Sequence, residues 1–207
     1  KFSIDKIIIS GNNFITNDSI EKIVKENIYN KNIFNTNIKL INKQIIDNKF
    51  IESSKIFIQF PSTISIVIDE INPIALFEKN NQFILIDDKH KMINASINSI
   101  NYYSLPIVSI KNYNDKDIYR TINILEYITQ VDKNLYDSIQ EIIIKEEFSY
   151  IVINNNTKIK LDKNNIESNT YKLVQFINDI QNLNDINSYK YVNVSIPNQI
   201  IVKERKI

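Results

Sequence analysis

Apolar residues in this chain follow two rhythms, alternate positions in short runs and every third or fourth position in longer ones, and the order of these rhythms lays out a fold. Lys6 to Ser10 is a β-branched run closed by Gly11, the single glycine of the chain, which supplies a positive φ where a strand must turn. Thr16 then reads as an N-cap with Asp18 in the first turn, and Ile20, Ile23, Val24 and Ile28 follow at helical spacing. A second helical stripe, Ile38, Ile41 and Ile45, lies within Thr36 to Asn48. Lys55 to Phe60 is strand-like, Pro61 and Ser62 turn the chain, and Ile64, Ile66 and Ile68 alternate with Thr63, Ser65 and Asp69. Strand, helix, helix, strand, strand is a complete small α+β module, in which two helices cover one face of a three-stranded sheet.

From Pro73 the pattern changes to many short strands, and a second domain is expected over 73–207 after a first over 1–72. Ile74 to Glu78, Gln82 to Asp87 and Ile107 to Ile110 are the first strands. Ile118, Ile122, Leu125 and Ile128 mark a helix between Asp115 and Gln130. Ser138 to Lys145, Tyr150 to Asn154 and Lys158 to Asp162 are read as an antiparallel meander, with Asn154, Asn155 and Asn156 tolerating the left-handed region in a turn. Leu173, Ile177 and Ile180 mark a last helix. Lys190 to Ile196 and Gln199 to Lys203 are expected to close the fold as a hairpin turning at Pro197 and Asn198. The fold class is α+β, its second domain built on a mostly antiparallel sheet.

Composition narrows the function. The 25 Lys and Arg balance 24 Asp and Glu, a net charge of +1, so no broad field draws this surface to nucleic acid. Cysteine is absent, which removes disulfides and thiolate metal sites. One glycine cannot write a phosphate-cradling loop. The only histidine, His90, stands in an expected turn between Asp88 and Lys91 with no second His or Cys to share a metal. The carboxylate pairs Asp87 with Asp88 and Glu146 with Glu147 would point to opposite sides of strands. Neither an enzyme nor a cofactor is expected. No apolar run reaches the roughly 20 residues that cross a bilayer, and the chain reads as part of something longer.

Gln59 to Ala75 places a proline turn at Pro61, an alternating strand, Glu70, and then Pro73 and Ala75. Ile9-Ser-Gly-Asn12 with Thr16, Leu85-Ile-Asp87, Leu105-Pro106 and the terminal Tyr191 to Val202 stretch complete an order that resembles the FtsQ/DivIB family of cell-division proteins. Two positions depart from the family pattern: Gln59 stands where Arg is frequent before the proline turn, and Lys89 or His90 where Gly follows the Leu-Ile-Asp strand. The resemblance implies a POTRA domain followed by a β domain on a single-pass inner-membrane protein, with this region in the periplasm at the division septum. It implies binding to FtsB- and FtsL-like division proteins, with the terminal strands as a docking edge.

Strand addition supplies a physical mode for that docking, because an edge strand offers unpaired N–H and C=O groups. Tyr191, Val194, Ile196, Asn198, Ile200 and Val202 are the candidate partner-binding residues, although half of any such strand must face the core. Proline at Ile200 is expected to remove a ladder donor at an exposed edge. Lys203, Glu204, Arg205 and Lys206 form a charged end that reads first as simply solvated and only second as a contact for an acidic partner helix. The rival reading is a POTRA-bearing outer-membrane assembly or secretion protein that pairs with unfolded strands, but the helical patterns after residue 74 do not suit a transmembrane barrel.

Overall fold

The computed structural model describes residues 3–29, 32–79, 82–110, 115–180 and 184–205, and the chain divides into two compact units, residues 1–72 and 73–207. Lys206 lies outside the described residues.

The first unit comprises β1 (Lys6–Ser10), α1 (Asn17–Ile28), α2 (Ile38–Ile46), β2 (Ile51–Gln59) and β3 (Thr63–Glu70). Helix α1 starts where the Thr16 side chain accepts from the Ser19 N–H, and α2 starts where Asn37 accepts from Leu40. The sheet order is β1-β3-β2, with β1 parallel and β2 antiparallel to β3. Ile64, Ile66 and Ile68 point from the central strand onto Ile20, Val24, Ile41 and Ile45, all essentially buried. The Phe60–Pro61 peptide is cis. β2 begins at Ile51, earlier than the alternation suggests, because Glu52, Ser53 and Ser54 are polar residues on an edge strand and carry no apolar signal.

Two features lock the β1–α1 connection onto β3. Gly11 has φ +84°, and its Cα sits so close to β3 that a Cβ there would lie 2.1 Å from the Ile68 carbonyl oxygen. The Glu70 carboxylate, at the end of the same strand, accepts from the N–H groups of Asn13 (3.0 Å), Phe14 (2.9 Å) and Ile15 (2.8 Å). A loop that would leave three donors unpaired is thereby satisfied by one side chain.

The second unit opens with β4 (Pro73–Lys79), β5 (Gln82–Asp87), β6 (Met92–Asn94), α3 (Ile97–Tyr103) and β7 (Ile107–Ile110). It continues through α4 (Asp115–Val131), α5 (Lys133–Ser138), β8 (Ile139–Ile144), β9 (Phe148–Ile153), β10 (Thr157–Asp162) and α6 (Ile166–Ile180) to β11 (Tyr189–Asn193) and β12 (Ile201–Glu204). Among the described residues nine strands form one sheet in the order β12-β11-β10-β9-β8-β7-β4-β5-β6, parallel at β4–β7, β7–β8 and β10–β11 and antiparallel elsewhere. The sheet is thus mostly antiparallel. Ile118, Ile122, Leu125 and Ile128 of α4 and Leu173 of α6 share a core with Ile142, Ile151, Ile159, Leu161 and Val192 from the strands. Asn155 and Asn156 both take φ 59° in the β9–β10 turn, the left-handed geometry that asparagine tolerates.

The final hairpin is shorter in its strands and longer in its loop than the alternation predicts. β11 ends at Asn193, whose side-chain oxygen accepts from the Ser195 N–H (3.0 Å) and from its hydroxyl (2.6 Å). This local bonding draws the backbone out of the ladder, so Val194, Ser195 and Ile196 leave the strand despite their continued alternation.

Candidate functional site

Strand β12 is one edge of the nine-stranded sheet, and all four of its residues are exposed, including Ile201 and Val202. Its ladder with β11 pairs Tyr191 with Lys203, Val192 with Val202 and Asn193 with Ile201. The Arg205 N–H donates inward to the Ser188 carbonyl (2.9 Å), so strand alternation turns the amides of Lys203 and Ile201 toward β11 as well. Those of Val202 and Glu204 therefore point away from the sheet, with no further strand beyond them among the described residues.

The sheet face beside this edge is basic and aromatic. Val192, Ile159 and Leu161 point to the core, so Tyr191, Lys158 and Lys160 point the other way. The register sets Lys158 beside Tyr191, Tyr191 beside Lys203, and Lys160 beside Tyr150. The Lys160 ammonium lies 4.1 Å from the Phe148 ring centroid, and that of Lys145 lies 5.6 Å from the Tyr150 centroid. Partial burial, and then the neighbouring Tyr150, push the Tyr191 phenol above its ordinary range. A face rich in lysine and tyrosine is suited to an acidic surface with aromatic or apolar side chains.

Of the six candidates, Tyr191 lies in β11 and Val202 in β12, whereas Val194, Ile196, Asn198 and Ile200 lie in the connection between them. Val194 is fully buried in the core, and Ile200 packs partly against the same core. Asn198 turns the connection with φ 58°. Proline at Ile200 therefore falls outside the edge ladder, and the outward amide that proline would remove is that of Val202.

Two cations absent from the candidate set organise the edge. Lys172 of α6 donates to the carbonyl oxygens of Val194 (2.7 Å) and Ile196 (2.6 Å). Arg205 donates through Nε to the Asn187 carbonyl (3.0 Å), and through Nη2 to the Asn155 carbonyl and the Thr157 hydroxyl. The Thr157 hydroxyl in turn donates to the Tyr189 carbonyl (2.7 Å), joining β10 to the start of β11. Lys172 carries no sequence signal, since a lysine in an amphipathic helix ordinarily faces water.

The groups considered for catalysis are otherwise engaged. His90 is an exposed turn residue, its ring edge-on to Tyr119 at 5.2 Å. Asp87 is buried and accepts from the N–H groups of Lys89 (2.9 Å) and Lys91 (2.7 Å), so it shapes that turn. Glu146 and Glu147 occupy the turn between β8 and β9, so the opposite-face argument that holds within a strand does not apply to them. They line an open cleft of about 880 Å³ with Glu78, Asp117 and Lys145. Burial lowers the affinity of the Arg120 guanidinium for its proton, against the opposing pull of Asp117, Asp162 and Glu147. Arg120 donates to the Lys145 carbonyl (3.0 Å) and serves the β8–β9 turn.

A profile of the FtsQ-type POTRA domain matches residues 2–70, and a profile of the C-terminal part of cell division protein FtsQ/DivIB matches residues 75–195, ending before β12. Among solved structures, the major extracytoplasmic domain of the trans isomer of the bacterial cell division protein DivIB from Geobacillus stearothermophilus aligns at 9% identity and a TM-score of 0.38. The alignment covers 56% of this chain and 99% of that one. No curated protein matches.

Proposed function

This chain belongs to the FtsQ/DivIB family of bacterial cell-division proteins, and from that premise we propose that it is a division scaffold that acts by binding other proteins outside the inner membrane. The observation that carries the reading is β12, an exposed edge strand whose outward amides at Val202 and Glu204 adjoin a lysine and tyrosine face. A partner strand adds there by main-chain bonds, each contributing about 0.5–1.5 kcal/mol net, while acidic side chains of the partner meet Lys158 and Lys203. The partners are FtsB- and FtsL-like proteins, and their capture links the division complex to septal peptidoglycan synthesis. Membrane attachment through a helix outside this chain holds the two units beside the bilayer; among the described residues no helix is long and apolar enough to cross one.

Calorimetric titration with the soluble region of the FtsB-like protein from the same genome tests the reading. Saturable one-to-one binding that weakens as salt rises is expected, since lysines on an exposed face are screened. Binding of unfolded outer-membrane strands in place of that protein would instead favour the assembly-protein alternative.

A further inference from the structure

We infer that Lys172 is a positioning residue for the docking edge, its ammonium fixing the connection from β11 so that β12 is ordered before a partner arrives. The inference rests on the strand-docking reading above. A strand of four residues with one neighbour is weakly held by its own ladder, and the segment 194–200 that leads into it has no regular structure. Something outside the ladder must fix where it begins.

The structure supplies a fastening at each end. Before β12, the Lys172 ammonium spends two of its three donors on the Val194 and Ile196 carbonyls, 2.7 and 2.6 Å away. These oxygens belong to partly or fully buried residues, where an unmet acceptor is costly. After β12, Arg205 ties the chain to Asn187, Asn155 and Thr157. Lys172 stands on α6, whose Leu173 and Val174 are in the core, so the clamp is anchored on a helix packed into the unit. Val194 itself is also held by its N–H to the Lys160 carbonyl (3.1 Å), and Ile200 packs partly against the core, which leaves 196–199 as the part that depends most on Lys172.

The physical consequence is pre-organisation. A partner strand that must first order β12 binds more weakly by the fraction of molecules in which β12 is already in place. K172M keeps an unbranched apolar stem and removes all three donors. It is expected to melt within a few degrees of wild type, to exchange the inward amides of Ile201 and Lys203 faster, and to raise the Kd for the FtsB-like protein about tenfold. K172R, which retains donors, is expected to recover most of the affinity. Unchanged affinity in K172M beside a binding wild type overturns this inference alone, whereas absence of wild-type binding overturns the docking reading beneath it. If K172M does not fold, K172Q carries the same readouts, and wild-type affinity in that variant overturns the inference equally.

Discussion

Replacing Gly11 by alanine is expected to destabilise the first unit by roughly 3 kcal/mol or more, a drop of about 10–20 °C in its melting temperature for a unit of this size. Two penalties coincide at this position. The backbone sits at φ +84°, where an L side chain is disfavoured by about 1–2 kcal/mol. The added Cβ would also stand 2.1 Å from the Ile68 carbonyl oxygen, a backbone atom of the central strand that cannot swing aside. Relieving the contact means moving β1 off β3, and with it the loop whose three N–H groups converge on Glu70. Thermal unfolding followed by circular dichroism checks this, with S10A as a control at an exposed neighbouring position. A shift of only a degree or two in G11A would contradict the account of the β1–β3 junction.

Val202→Pro is expected to raise the Kd for the FtsB-like protein at least about tenfold while leaving the fold in place. The outward amide of Val202 takes no part in the ladder with β11, so proline removes a donor offered only to a partner, and proline is tolerated on that side of an edge strand. Its ring also blocks close approach of a second strand. Val202 is exposed, which keeps the substitution away from the core. Lys203→Pro provides the contrast, because it deletes an inward ladder bond and should loosen β12 itself. Wild-type affinity in a folded V202P would exclude strand addition at this edge.

The parts of the fold legible in the sequence are those where apolar period and burial coincide. The Ile64, Ile66 and Ile68 alternation became a central strand, and the Ile20, Val24 and Ile41, Ile45 stripes became the helices that cover it. Helix α3 was not legible because it buries Ser99 and leaves Ile97 exposed, so its apolar residues carry no stripe; a Ser96 capping box starts it instead. The first residues of β2 are polar because they lie on an edge. At the candidate site, the pairing of a terminal strand near Tyr191 with one near Val202 was legible, but its limits were not. The Asn193 side chain ends β11 by bonding Ser195, a choice that alternation cannot report. Lys172 and Arg205 were illegible as fasteners for a related reason: their bonds go to backbone carbonyls, and carbonyls are the same at every residue.

The central claim is that a partner strand completes the sheet at β12. NMR-detected amide exchange of the chain, free and saturated with the FtsB-like protein, tests it most directly. The amides of Val202 and Glu204, open in the free protein, are predicted to become protected on binding, while those of Ile201 and Lys203 change little. A saturated complex in which Val202 and Glu204 exchange as fast as before would contradict docking by strand addition at β12.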